Sequence, residues 1–512
     1  MFRAQKQSHP LLWSFFCGLL LVLSYPPASL WVLSLPAFGL LSWYLFEEFE
    51  GQRFKDFFKV FFLFSLVVKG FSLYWIPHTL IEFSTIPLVV AWLLGGLGLS
   101  LMSLPSALAG ALLLPLVKKW IQKKSSLQIP LIFLFWILWD ICDYRFFPWI
   151  PAQSFGSQKY LLASVGVWGT WGWNYVFYAL VAFLHSLKKQ PALQRIFVWG
   201  SSCVFVLFVA GFIGFQEIKK LQSKYKYSQK IAILQGAVGN FEKKLQNRNE
   251  SPTNENVLRI YRDLVERLAL KQKNSEIKEE YFAFWPETAF PGFPINDSSL
   301  SEQLSSWSRL TNAFHLIGAY EERAVPALLN PSQSKIFQYN IVTAYSAKGD
   351  FRGHYQKVVR MPFGEYVPGD QYYPWIYEKF SFLNQFGKGE RSVALLHDHP
   401  KGPAFIPFIC FEILNESYVR EAVLSARKDH PDRDLVLVNP TNDSWFGEGA
   451  ELFLHSHLAR WQVAREQVPL VRPTNTGLSM VIAPWGEVLT QGRVGVEALI
   501  LTELPLSTQW KP

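Results

Sequence analysis

Up to about residue 216 the apolar positions fall in long unbroken blocks, whereas from residue 231 onward they alternate in short stretches or recur at helical spacing. Seven blocks in the first part lie at about 11–25, 29–46, 57–76, 86–117, 130–147, 160–185 and 196–215. Each comes near the roughly 20 apolar residues that a helix needs to cross a bilayer core. The first two blocks meet at Tyr25-Pro26-Pro27-Ala28-Ser29, which reads as a tight hairpin. The fourth could hold two short spans, with Gly95, Gly96, Gly98 and Pro105 as breakers. One kinked or tilted helix is expected instead, because two would place the following lysines on the wrong side. Arg3 and Lys6 precede an apolar core as in a signal peptide, but no small-x-small cleavage site is clear and further spans follow at once. An uncleaved anchor is expected.

Basic residues orient such a bundle. Arg3 and Lys6, then Lys118, Lys119, Lys123 and Lys124, then Lys188, Lys189 and Arg195 fall in alternate loops, while 77–85 has none. The N-terminus is therefore expected in the cytoplasm, and everything after residue 216 on the opposite side of the membrane. The formal net charge of +9 fits Lys-rich flanks such as Lys219, Lys220, Lys224, Lys226 and Lys230. No base-reading motif accompanies these charges, so a nucleic-acid partner is not expected.

Beyond a charged linker at 217–230, the period changes. Strands are expected at Ile231–Gln235, Tyr281–Trp285, Leu316–Tyr320, Tyr339–Ser346, Phe405–Phe411, Leu435–Asn439, Leu478–Ala483 and Ala498–Thr502. Helices are expected at 254–271, 298–311, 414–428 and 450–467, with polar loops at 244–254 and 321–335. The pattern predicts a layered α/β domain over 231–505, followed by a tail at 506–512.

Cys17, Cys142 and Cys203 lie in or beside the apolar blocks, which leaves Cys410 without a disulfide partner in the soluble half. It ends the run Phe405-Ile406-Pro407-Phe408-Ile409 and is followed by Phe411-Glu412. A small buried hydrophobe is the plain reading of such a thiol. Glu287, just past an apolar strand, and Lys357, ahead of Pro362-Phe363-Gly364-Glu365-Tyr366, supply the two groups a working thiol needs. A carboxylate takes its proton, and a cation stabilises the thiolate and then a tetrahedral oxyanion. Taken singly, Glu287 could cap a helix and Lys357 could be a surface charge.

Their surroundings are far less common. Trp285-Pro286-Glu287-Thr288-Ala289, Pro362 to Pro368, Cys410-Phe411-Glu412, Thr441-Asn442-Asp443-Ser444-Trp445-Phe446-Gly447, Ala464-Arg465-Glu466, Pro469-Leu470-Val471-Arg472 and Thr474-Asn475-Thr476-Gly477 follow in this order. The chain thereby resembles, over nearly its whole length, the apolipoprotein N-acyltransferases. These are polytopic inner-membrane enzymes with a nitrilase-like domain on the periplasmic side. The resemblance implies about seven α-helical spans followed by an αββα sandwich. It implies Glu287 as general base, Lys357 as oxyanion-stabilising cation and Cys410 as nucleophile. It further implies supporting or substrate roles for Glu365, Phe411, Glu412, Asn442 and Trp445, with the Phe411 backbone N–H as a second oxyanion donor. The implied reaction needs no cofactor. A phospholipid donates an acyl chain to the thiol, and the N-terminal amine of an S-diacylglyceryl cysteine on an apolipoprotein accepts it.

Several positions depart from the family pattern. Phe411 stands where Tyr is common, and Asn240-Phe241-Glu242-Lys243-Lys244 replaces a region with an early tryptophan. Arg360 and Met361 replace aliphatic residues, and the final C-terminal span of the family is missing before Pro512. His455 and His457, with His397 or His399, are spaced i,i+2 and no helical i,i+4 pair with a third ligand accompanies them, so no metal site is expected. Lys69, inside the third span, is expected to bind a lipid phosphate, to pair with Asp140 or Asp143, or to snorkel. Trp168, Trp171 and Trp173 read as packing or interface residues, and 321–335 and 371–390 as lids over a pocket. Two rival functions share the motifs: a membrane-tethered amidase that passes its acyl group to water, and a lipoprotein-binding protein without turnover.

Overall fold

The computed structural model describes residues 9–51, 53–83, 86–145, 147–238, 254–274, 279–326, 334–379, 385–447 and 449–509. The chain divides into two compact units, Met1–Leu80 with Ile86–Ile218, and Ile81–Thr85 with Lys219–Pro512.

The first unit is helical. Among the described residues three helices are long and apolar enough to cross a membrane, Leu88–Lys123, Ser125–Cys142 and Ala192–Lys224, and Pro10–Leu23 is apolar but shorter. The 86–117 block forms one helix that carries Pro105 and Pro115 within it, as the charge pattern required. The third block forms Phe54–Ser72, and the loop expected at 77–85 holds the short helix Ile76–Phe83. Phe38 sits at the centre, edge-on to Phe64, Trp136 and Phe177 at 5.8, 5.1 and 5.4 Å between ring centroids.

The expected linker at 217–230 is corrected. The last helix of the bundle runs on to Lys224 because Ile218 and Leu221, one turn apart, are buried and keep an apolar face. Strand β1 then starts at Tyr227.

Among the described residues the second unit holds twelve strands in two six-stranded sheets. They are β1 (Tyr227–Gln235), β2 (Tyr281–Phe284), β3 (Ala313–Pro326), β4 (Ser334–Tyr345), β5 (Phe351–Gln356), β6 (Leu395–Leu396), β7 (Ala404–Pro407), β8 (Leu435–Val438), β9 (Leu470–Arg472), β10 (Met480–Ile482), β11 (Val488–Gln491) and β12 (Ala498–Leu506). The sheet orders are β12-β1-β2-β3-β4-β5 and β11-β10-β9-β8-β7-β6, with β1-β2-β3 and β7-β8-β9 parallel at their centres. Strand alternation sets the layers. Ile231, Ile233, Phe282 and Phe284 face Phe405, Val436, Val438 and Val471 of the other sheet. The intervening Ala232, Leu234, Ala283 and Trp285 face the helices Asn254–Lys273 and Ser298–Thr311. Helices Glu416–Asp429 and Ala450–Glu466 accompany the second sheet. The result is a four-layer αββα sandwich.

Three expected elements change. The Phe405–Phe411 strand stops at Pro407, because the chain turns there to present Cys410. Half of the 321–335 loop is strand, since β3 runs to Pro326 and pairs along its length with β4; residues 327–333 lie outside the described residues. The expected tail at 506–512 begins later. Asp434 accepts the Ser507 and Thr508 backbone N–H groups at 3.0 and 2.8 Å, which ties the chain beyond β12 to the start of β8.

Candidate active site

Glu287 leaves the end of β2 in a turn that crosses β3 at Gly318. A Cβ on Gly318 would lie 2.1 Å from the Pro286 carbonyl oxygen and 2.9 Å from the Glu287 Cα, so this approach requires glycine. The Phe290 N–H donates to the Gly318 carbonyl at 3.0 Å and closes the turn. The buried carboxylate is held from three sides. Oε1 accepts from Asn340 Nδ2 at 2.6 Å and from Lys357 Nζ at 3.4 Å, and Oε2 accepts from the Asn442 backbone N–H at 2.8 Å. Asn475 Nδ2 donates to the Glu287 carbonyl at 2.9 Å.

Lys357 follows β5. Its backbone N–H donates to the Asn340 carbonyl at 2.9 Å, and its ammonium donates to Glu365 Oε1 at 2.8 Å. Glu365 accepts the Met361 N–H on its other oxygen at 2.8 Å, so it orients the lysine. Glu412 does a different job. It accepts the Val358 and Val359 N–H groups and the Ile409 N–H, each at 2.7 Å, and the Tyr355 hydroxyl at 2.8 Å. It therefore fastens the Lys357 segment to the Cys410 segment.

Cys410 stands in a tight turn at φ 53°, a left-handed conformation uncommon for a side chain of this kind. Its N–H donates to the Pro440 carbonyl at 2.8 Å and its carbonyl accepts from Asn439 Nδ2 at 3.0 Å. The thiol is buried, and Phe411 packs partly buried beside it in the core between the sheets. Burial pushes the thiol up and Glu287 adds to the push, while Lys357 pulls it down; the outcome is a thiol well above its ordinary value. Burial also raises Glu287, against the pull of Lys357. Burial would lower Lys357, but Glu365 and Glu287 outweigh it, so the ammonium stays charged. The Glu412 carboxyl is pushed by burial up to about 7, against Lys357 and its N–H donors.

Asn442 contributes its backbone, not its side chain, to Glu287; its Oδ1 caps the next turn by accepting the Ser444 N–H at 3.3 Å. The side chain of Trp445 and residues 239–253, including Asn240 to Lys244, lie outside the described residues. Lys69 belongs to the other unit, where its ammonium pairs with Asp143 at 2.7 Å and donates to Ser65 Oγ and the Met102 carbonyl. Asp143 also pairs with Arg145, which holds Asp140. Trp173 is buried and donates to Ser164 Oγ at 3.0 Å, whereas Trp168 and Trp171 are exposed. Of the 371–390 segment, Tyr372, Tyr373 and Trp375 are exposed and 380–384 lies outside the described residues.

Two groups escaped the sequence. Asn340 touches both Glu287 and Lys357, and only its place next to β5 in the sheet reveals that. Behind Cys410 lies a buried cluster of Asp443, Glu451, His455 and Arg472. Contrary to the reading of the histidine spacing, an i,i+4 pair with a third group is present: Glu451 and His455 stand one turn apart, and their ligand atoms and that of Asp443 lie within 4.8 Å of one another. Arg472 donates to Asp443 at 3.1 Å, so the cluster holds its own cation, and His455 Nε2 is 3.3 Å from the Cys410 carbonyl.

Known proteins share both halves. Residues 17–181 match the apolipoprotein N-acyltransferase N-terminal domain, and residues 276–510 match the carbon-nitrogen hydrolase family. The apolipoprotein N-acyltransferase of Haemophilus ducreyi is 25% identical over 93% of this chain and 87% of its own length. That of Geobacter metallireducens is 24% identical over 96% and 88%. That of Rhodopseudomonas palustris is 29% identical over 46% and 41%. Among solved structures, Saccharomyces cerevisiae Nit3, a nitrilase-superfamily member, is 18% identical over 54% of this chain and 90% of that chain, with a TM-score of 0.37. With regions matching both domain types in one chain, the protein is similar along nearly its whole length to apolipoprotein N-acyltransferases.

Proposed function

We propose that the protein transfers an acyl chain from a phospholipid to Cys410 and then to the N-terminal amine of an S-diacylglyceryl cysteine on an apolipoprotein. The observation that carries this reading is a carboxylate and an ammonium buried together, their charges acting on one buried thiol. In the first half-reaction Glu287 takes the thiol proton as Sγ attacks the phospholipid ester carbonyl. Since the thiol is raised, proton transfer accompanies attack rather than preceding it. Lys357 stays charged and stabilises the oxyanion, with the Phe411 N–H assigned as a second donor. Glu287 then protonates the departing lysophospholipid alkoxide. In the second half-reaction the amine attacks the thioester and Cys410 leaves. Cys410 is the nucleophile, Glu287 the acid and base, Lys357 the oxyanion cation, and Glu365 and Glu412 the residues that position them.

Both substrates are membrane-anchored, which explains the union of a thiol domain with a helical unit. We assign the bundle about seven crossings of the inner membrane and place the sandwich on its periplasmic side, supported by the alternating basic loops. A thioester that faces lipid also meets less competing water.

Mass spectrometry of the protein incubated with phospholipid and a diacylglyceryl-cysteine peptide tests this, beside Cys410→Ala. The expected result is an acyl-thioester on Cys410 and an N-acylated peptide, both lost in the variant. A thioester that releases only free fatty acid would make the protein a hydrolase, and no thioester at all would make it a binding protein.

A further inference from the structure

Among the described residues that touch Glu287 and Lys357, each charged group has its partners, but one buried polar atom does not. Asn340 Oδ1 is a buried acceptor without a donor among the described residues, on a side chain only 5% exposed. Leaving a carbonyl oxygen bare in a dry site is costly, so such an atom in a working site points to a ligand. The orientation of the amide is settled by its neighbour. Glu287 Oε1 only accepts, so the Nδ2 side faces it at 2.6 Å and Oδ1 faces away. The Asn340 main chain is fixed as well, between Tyr320 on β3 and the Lys357 N–H that its carbonyl accepts.

We propose that Asn340 Oδ1 accepts a hydrogen bond from the attacking primary amine in the second half-reaction, and so selects a free N-terminus. This rests on the transferase reading above. The chemistry asks for two acceptors. The amine nitrogen spends its lone pair on the thioester carbonyl carbon, the C–N bond forms, and its two N–H groups then need partners. Glu287 accepts one and takes that proton. Asn340 Oδ1 accepts the other, which stays on the nitrogen of the product amide. The C–S bond breaks, and the proton held by Glu287 passes to Sγ. The first half-reaction offers no N–H at the reacting ester carbonyl, so Oδ1 has no task there.

The test follows the two half-reactions separately in the full-length protein in detergent with phospholipid. Thioester formation is timed without acceptor. Aminolysis is then timed with a diacylglyceryl-cysteine peptide and with the same peptide N-methylated, which has one N–H in place of two. Asn340→Ala is expected to slow aminolysis of the free amine about tenfold more than thioester formation, the size of one hydrogen bond in the barrier. It is also expected to shrink the preference for the free amine over the N-methyl peptide. Equal losses in both half-reactions with an unchanged preference would overturn the proposal, because Asn340 would then act only through Glu287. If the variant does not fold, the wild type decides. Equal rates on the two peptides overturn the proposal, and a strong preference for the free amine supports it. Absence of a thioester on the wild type would instead overturn the transferase reading itself.

Discussion

Glu412 accepts the backbone N–H of Val358, the residue after Lys357, at 2.7 Å. A carboxylate two residues from Cys410 thus holds the main chain that carries Lys357. With the Val359 and Ile409 N–H groups at the same distance and the Tyr355 hydroxyl on both its oxygens, it is the joint between two loops. The placement of the Lys357 segment against the Cys410 segment is set there.

Glu412→Ala is therefore expected to act through geometry. Each N–H left without an acceptor costs about 1–3 kcal/mol. The variant should unfold at a clearly lower temperature in detergent and form thioester slowly even when cooled. A variant as stable and as fast as the wild type would show that the joint is dispensable.

Gly318→Ala tests the turn at Glu287 in the same way. The added Cβ meets main chain, at 2.1 Å from the Pro286 oxygen and 2.8 Å from the Thr288 nitrogen, and no side chain can swing aside. Overpacking of this kind costs about 1–3 kcal/mol. The rate of thioester formation should fall at least tenfold, as Glu287 is pushed off its partners. Normal acylation kinetics in Gly318→Ala would mean that the turn yields.

How much of this was readable beforehand depended on where the information lay along the chain. Glu287, Lys357 and Cys410 were legible because each stands in a local motif, and the inner faces of β1 and β2 because their residues alternate. Strand β5 was not, since Arg352, Gly353 and His354 are polar or small on an edge strand that pairs with β4. Strands β6 and β9 have two and three residues, too short for any period to show. Asn340 was missed for another reason. It sits within an apolar strand, and its task comes from the register Ile341↔Gln356, which sets it beside Lys357.

In the helical unit, Lys69 and Asp143 form a buried pair at 2.7 Å. Replacing one partner strands the other charge, which typically costs about 3–5 kcal/mol. Asp143 keeps Arg145 when Lys69 is lost, whereas Lys69 keeps no carboxylate among its described partners when Asp143 is lost. Asp143→Asn should thus lower the melting temperature more than Lys69→Met. The double variant should lie closer to Lys69→Met than the sum of the two single losses. Equal or reversed effects would mean that the ammonium reaches another anion, such as a lipid phosphate.

The pH dependence of thioester formation follows from four buried groups, Glu287, Cys410, Lys357 and Glu412. Glu287 works as a base only when ionised. Burial raises it above its ordinary 4.5, so the rate should fall as pH drops through a value above 4.5. Cys410 is raised above its ordinary 9.0 and Lys357 above its ordinary 10.5. Neither therefore adds a limb at its usual place, and kcat/KM should stay level across pH 9.0, where a free thiol would ionise. Glu287→Gln should lower the level by about a hundredfold or more and leave only the acid loss that comes from protonating Glu412, which is pushed up to about 7. A rate that instead climbs through pH 9.0 in the wild type would mean that the thiolate forms before attack and that Glu287 is not its base.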